Sequence, residues 1–384
     1  MDRLMRLLDA SLAVSVITGL LYLLGYEYFS GYYSYFRLSA NLRNPSLALV
    51  LVVGWRFVGY LLLAATVVHA ADPKAATFTT PEQGGADYAT QGEYVGDEGG
   101  VQVIALGEGR FQAIGFREGL PGTSPNSEII GQIAGQRDEA TGKVSLKGDG
   151  WTGEIVGTRI AATHPDGHSY ALDRTVRKSR TLGSVPVPGA KVLFDGTSVD
   201  AWENGRIGEE QTLRAGAKTR ERFAGGFLHV EFYIPFKPAA RGQERGNSGV
   251  YLQNRYEVQV LDSFGLKGEN NECGGIYGIA KPLVNMCYPP LTWQTFDIRF
   301  EPAKYGADGV KSGNAKLTVW HNGILVHRDV EVSKTTTSAG NKEAQETGPI
   351  SLQDHGNPVL YRNIWWVPEG EAGMQTVITA LEGK

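Results

Sequence analysis

Ser248-Gly249-Val250-Tyr251-Leu252-Gln253 and, after Asn254-Arg255, Tyr256-Glu257-Val258-Gln259-Val260-Leu261 decide the fold. In an extended chain, neighbouring side chains leave opposite faces. Val250 and Leu252 therefore share one face of the first segment, and Gly249, Tyr251 and Gln253 share the other. In the second, Tyr256, Val258 and Val260 point one way while Glu257 and Gln259 point the other. One face of each segment suits a core. The other carries tyrosine, glutamine and glutamate in place of the lysine, serine and threonine of an ordinary wetted sheet. Amides and carboxylates bind sugar hydroxyls, aromatic rings stack on pyranoses, and a carboxylate can move a proton.

The same period of two extends outward. In Phe227–Tyr233, Leu228, Val230 and Phe232 form an apolar face and His229 and Glu231 share the opposite one. Trp293–Phe300, Ala315–Trp320, Ile324–Asp329, Ile350–Gln353 and Leu360–Trp366 are further strands, and Asn322-Gly323 is a two-residue hairpin turn. Many short strands with almost no helical periodicity predict a two-sheet sandwich. His321 and His327 flank the hairpin and read as exposed, and the polar stretch 334–348 reads as a mobile loop.

Upstream, Val101–Leu106, Arg110–Phe116, Glu128–Ile133, Lys143–Leu146, Gly153–Val156 and Tyr170–Val176 are short runs between glycine-rich turns. They predict a small antiparallel sheet or barrel. His164 and His168 flank Pro165-Asp166-Gly167, which reads as an exposed turn rather than a metal site.

Residues 1–71 are a hydrophobic leader. Arg56, the apolar Val58–Val68 and Val68-His69-Ala70 have the parts of a signal peptide over about 53–70, with a membrane anchor as the alternative. Either places the remainder outside the cytoplasm, periplasmic or extracellular, with membrane contact only through the leader. The expected organisation is then 84–180 as a small β domain, 181–191 as a linker, 192–368 as the sandwich and 369–384 as a tail.

The chain has 384 residues, net charge −4 and 50 glycines, about 13%. Without 1–70 it loses five arginines and three acids and stands at −6, which argues against a nucleic-acid partner. Two cysteines are too few for a disulfide scaffold or a four-cysteine zinc site.

Seven collinear motifs carry a family resemblance. They are Leu193-Phe194-Asp195-Gly196-Thr197, Leu228-His229-Val230-Glu231-Phe232, Asn247 to Gln253, Arg255 to Ser263, Glu272-Cys273-Gly274-Gly275-Ile276-Tyr277, Trp293-Gln294-Thr295-Phe296-Asp297 and Gly348 to Pro358. In this order they resemble the 3-keto-disaccharide hydrolase domain family, which implies an all-β jelly-roll sandwich of the concanavalin A-like type. The implied substrate is a 3-keto-glycoside. Its C3 ketone acidifies the C2 proton, a base removes it, the enolate expels the oxygen at C1, and water adds to the resulting glycal.

On that resemblance Glu257 or His355 is the base, and Glu231 or Asp262 is the acid or a ligand. Arg255, or a divalent cation on carboxylates and histidine (candidates Glu231, Glu257 and His355), faces the oxyanion. Gln259, Tyr251, Tyr277, Gln353 and His229 bind the carbohydrate. No cofactor beyond that cation is implied. Cys273 and Cys287 bracket a loop with Gly274, Gly275 and Pro282, so a disulfide holding it beside the site is expected, with two buried thiols as the alternative. A carbohydrate-binding module without catalysis is the competing function, since one fold hosts both.

Overall fold

A computed structural model describes residues 76–383. The leader, signal-peptide and anchor expectations fall on residues outside them. Among the described residues no helix is long and apolar enough to cross a membrane.

Eight strands close an antiparallel barrel in sequence order: β1 (Gly92–Gly96), β2 (Gly99–Gly107), β3 (Arg110–Arg117), β4 (Ile129–Arg137), β5 (Val144–Gly148), β6 (Trp151–Val156), β7 (Arg159–Thr163) and β8 (Ser169–Thr175). Alternation sends Val103, Ala105, Phe111, Ala113, Val144, Leu146 and Ile160 inward. Closure leaves no free edge to pair with another chain. Helix α1 (Pro81–Thr90) begins with a capping box, in which Thr80 Oγ1 accepts from Gln83 N–H and Gln83 Oε1 accepts from Thr80 N–H. It lies at the β2–β3 end, where Asp87 binds Arg137 at 2.8 Å and accepts from Gly109 N–H.

The sandwich follows. Its strands are β9 (Lys191–Phe194), β10 (Trp202–Glu203), β11 (Leu213–Arg214), β12 (Lys218–Thr219), β13 (Gly226–Tyr233), β14 (Ser248–Leu252), β15 (Tyr256–Val260), β16 (Trp293–Glu301), the small hairpin β17 (Lys304–Tyr305) and β18 (Lys311–Gly313), β19 (Ala315–His321), β20 (Ile324–Val332), β21 (Ser351–Leu352) and β22 (Leu360–Pro368). The smaller sheet runs β10-β12-β21-β14-β15 and the larger β11-β22-β13-β16-β19-β20, with β9 also on β22. Between them lie Val250, Leu252, Val258, Val260, Ile350 and Leu352 from one sheet and Leu228, Val230, Phe232, Phe296, Ile298 and Leu317 from the other. This is the two-sheet sandwich the alternation predicts and the all-β jelly roll the resemblance implies.

Two segments read as linker and tail are docked instead. Ser179 and Thr181 hydrogen-bond Thr295 on the outer face of the larger sheet. Residues 372–382 form α2 (Ala372–Glu382), whose Ile378 and Leu381 pack with Phe227, Trp320 and Trp365. Apolar residues at helical spacing inside a short tail suffice to cover a sheet face.

Barrel and sandwich share a core. Ile104, Ile114, Phe116 and Leu120 of the barrel pack into the sandwich cluster. The Arg245 guanidinium pairs with Asp262 at 2.7 Å and donates to Ala105 O, Pro238 O and Ala240 O. Arg177 grips Glu93 through two nitrogens, donates to Pro121 O and lies 4.9 Å over the Tyr288 ring. Breaking one such buried ion pair costs about 3–5 kcal/mol, because it strands a charge.

Candidate functional site

The two sheets carry their polar residues on opposite sides of the sandwich. That separates the expected site residues into two groups and decides which of them can act together.

On the outer face of the smaller sheet, Tyr251 and Glu257 are directly paired in the β14–β15 register. The Tyr251 hydroxyl donates to Glu257 Oε2 at 2.7 Å. With its amide turned to donate, Gln259 reaches Glu257 Oε1 at 3.0 Å and Ser248 O at 2.9 Å. Gly249 stands between them, and any side chain there would collide with the Glu257 carboxylate. Glu257 is 2% exposed. Burial, only partly opposed by the Tyr251 hydrogen bond, pushes its carboxyl up to about 7. It is a buried acid poised to change charge at neutral pH, the condition a general base requires.

Around it are amides, hydroxyls and phenols. Gln353 Nε2 donates to the Tyr251 hydroxyl at 3.2 Å. Tyr277 donates its backbone N–H to Glu257 O, and its phenol lies close enough to influence Tyr251. Asn247 and Gln243 continue the amide row beyond Gln259. Two buried oxygens on this face, Gln353 Oε1 and Ser351 Oγ, have no hydrogen-bond partner. Such orphans cost free energy unless a ligand or water meets them. Gln243, Tyr277, Ser351 and Gln353 are half-buried and form the lip. His355 is exposed on the loop that follows Gln353.

Gln243, Asn247, Ser351 and Gly249 were not among the sequence candidates. Gly249 had a signal, since it shares the Tyr251 face. Gln243 lies in an irregular turn and Ser351 in a two-residue strand, where period-two reasoning has little to hold.

The expected roles of four residues are corrected. His229 and Glu231 lie on the outer face of the larger sheet. His229 Nδ1 binds Asp297 at 2.7 Å and its ring stacks on Trp365. Burial would lower the His229 pKa, but Asp297 and Glu231 outweigh it and hold the imidazole charged, at about 9. Burial would raise Glu231, but hydrogen bonds from His229, Asn363, Arg362 and Gly183 N–H bring it to about 2. This pair fastens the segment after β8 to the sheet. Arg255 is taken up by Lys342 O, Glu346 O and Gln253 Oε1, to which it donates, pinning the 334–348 stretch that read as mobile. Asp262 is consumed by Arg245.

Glu231, Glu257 and His355 do not converge, and among the described residues no group of three or more His, Cys, Asp or Glu side chains could hold a metal ion. The expected cation set does not fit this arrangement. The expected disulfide is also absent. Cys273 and Cys287 are free and buried, and the Cys287 thiol is directed to Leu261 O and Tyr288 O. Each thiol packs as a small apolar group. His321 and His327 are buried, on Gln294 Oε1 at 3.0 Å and Gly274 O at 2.7 Å. Burial pushes His321 down to about 3, so it packs as a neutral ring.

Residues 189–367 match the sequence profile described as the 3-keto-alpha-glucoside-1,2-lyase-like domain. Among curated proteins nothing matches the chain. A solved structure from Parabacteroides distasonis, described as a "putative glycosyl hydrolase", is 32% identical, with the match covering 47% of this chain and 84% of that one at a TM-score of 0.43. Two more from the same organism, described in the same words, are 17% and 18% identical. They cover 46% and 47% of this chain and 93% and 98% of their own, at TM-scores of 0.34 and 0.33. Through residues 189–367, the chain belongs to the family of the 3-keto-alpha-glucoside-1,2-lyase-like domain.

Proposed function

We propose that this protein is a glycosyl hydrolase-like, carbohydrate-active enzyme that cleaves 3-keto-glycosides, with Glu257 as the base. The observation that carries the reading is the Glu257 carboxyl, buried, held near neutrality and hydrogen-bonded by Tyr251 on a sheet face of amides and phenols. Glu257 takes the C2 proton that the C3 ketone acidifies. The electron pair left on C2 is delocalised into the ketone as an enolate. The enolate reforms the ketone as the C1–O bond breaks, and the leaving oxygen takes a proton. Water then adds across the C1–C2 double bond to complete hydrolysis.

The unpartnered Gln353 Oε1 and Ser351 Oγ accept sugar hydroxyls. Once Glu257 holds the proton, the Tyr251 hydroxyl is free to turn toward the enolate oxygen, the task the resemblance gave to Arg255. The apolar run ending at Val68-His69-Ala70 supports export of the described residues, and N-terminal sequencing of the mature protein tests it.

The deciding experiment incubates the full chain with 3-keto-trehalose or a 3-keto-β-glucoside, with and without EDTA, and follows 3-keto-glucose and the glycal by NMR. Turnover that disappears in Glu257→Gln while sugar binding persists supports the enzyme. Binding of the parent glycans with no turnover of any keto-sugar supports the non-catalytic module instead.

A further inference from the structure

The barrel has one closed end and one open end. The β2–β3 end is covered by α1 through Asp87, Arg137 and Gly109. The opposite end carries the β1–β2, β3–β4, β5–β6 and β7–β8 connections. There a cavity of about 300 Å³ runs into the interior, lined by Val101, Phe116, Ile133, Leu146, Trp151 and Tyr170 among others.

Its emptiness has a specific origin. Gly115 and Gly131 are paired on β3 and β4 and both line the cavity. Neither has a positive φ, and neither is crowded. A Cβ at Gly115 would come no closer than 3.5 Å to Ile130, and one at Gly131 no closer than 3.8 Å to Trp151. Glycine in a strand costs stability, and usually backbone conformation or close packing requires it. Here neither does. What the two glycines provide is open space inside a barrel of a size that side chains ordinarily fill.

The walls define what fits. Trp151 is flanked by His164 at 4.7 Å and Tyr170 at 5.4 Å, and Tyr170 by His168 at 4.7 Å, which makes a run of rings along one side. The charged residues lining the cavity are Asp97 and Glu98, both acidic, with Glu98 on His168 Nε2 at 3.2 Å. An acidic rim repels anions, and an apolar wall offers few partners to a polyhydroxylated sugar. A dry cavity of about 150 Å³ holds benzene, so twice that volume suits about ten to twelve heavy atoms.

We propose that the barrel mouth binds a small, neutral, fused aromatic molecule between the Trp151–Tyr170 wall and the floor left open by Gly115 and Gly131. This site is separate from the Glu257 face and stands whether or not that face is catalytic.

Calorimetric titration of the full chain with 2-naphthol tests it, with 2-naphthoate as the anionic control. The expected result is saturable one-to-one binding of 2-naphthol, with 2-naphthoate weaker by about tenfold or more. Gly131→Leu and Gly115→Val should each lose about tenfold or more in affinity and melt no lower than the parent, since each fills space and restricts the unfolded chain. No saturable heat from 2-naphthol overturns the proposal. So does equal binding of the naphthoate, or unchanged affinity in both folded variants. Should either variant fail to fold, the comparison of the two ligands on the parent chain still decides.

Discussion

Tyr251 and Glu257 face each other across two neighbouring strands, and the phenol hydroxyl donates to the carboxylate at 2.7 Å. This bond favours the ionised carboxyl, against the desolvation that opposes it. In Tyr251→Phe the acid limb of the kcat/KM profile should therefore move above its parent midpoint near 7. The parent rate should rise with pH through that midpoint, because the base proposed here works ionised. A variant limb that stays put or moves to lower pH contradicts this assignment.

Glu257 also makes stability depend on pH. Its folded pKa lies near 7, against 4.5 for the free group. Between those values the folded protein binds more protons here than the unfolded chain does, so this contribution to stability falls as pH rises. Glu257→Gln should gain on the order of 3 kcal/mol over the parent at pH 8 and little at pH 4. Urea unfolding at the two pH values measures the difference, and the same variant should lose about 10²–10⁴ in turnover.

The His229 cluster adds a second loss at more alkaline pH. The folded His229 pKa is raised to about 9, so its contribution is complete below 6.5 and is lost as pH climbs through 9. The folded Glu231 pKa is lowered to about 2, so its contribution is complete above 4.5 and is lost as pH falls through 2. The cluster is therefore most stabilising between about 4.5 and 6.5. Asp297→Asn should lower the His229 pKa in an NMR titration, flatten the alkaline loss and cost about 3–5 kcal/mol.

Gly249→Ala places a methyl group where Glu257 Oε1 lies. Overpacking of this kind costs about 1–3 kcal/mol, and the displaced carboxylate should lose turnover more than it loses sugar binding. A variant with parental kcat would show that the carboxylate position is not critical.

Much of the fold was legible because period-two alternation reports one-sided burial directly. Six of the barrel strands and the main sandwich strands carry it. Gly92–Gly96 and Arg159–Thr163 do not, being five residues each and glycine- or alanine-rich. The site was legible only in halves. Alternation shows that His229 and Glu231 share a face, and that Tyr251 and Glu257 share a face. It cannot say that these faces look out from opposite sheets, since that depends on which strand joins which sheet. Arg255 and Asp262 failed for another reason: a charged side chain next to a site can equally serve a loop carbonyl or a distant guanidinium, and here both do.

The stacking of Arg177 over the Tyr288 ring and the reach of Arg245 to Ala105 O tie the barrel to the sandwich. A gene trimmed to the matched residues 189–367 would leave Arg245 facing water where it now meets the barrel, and would bare Phe236, which packs on Phe78, Tyr88 and the barrel's apolar cluster. Such a fragment should come out of cells aggregated, or chaperone-bound. Recombinant work on the sugar chemistry therefore has to carry the barrel along, whatever the barrel itself proves to hold.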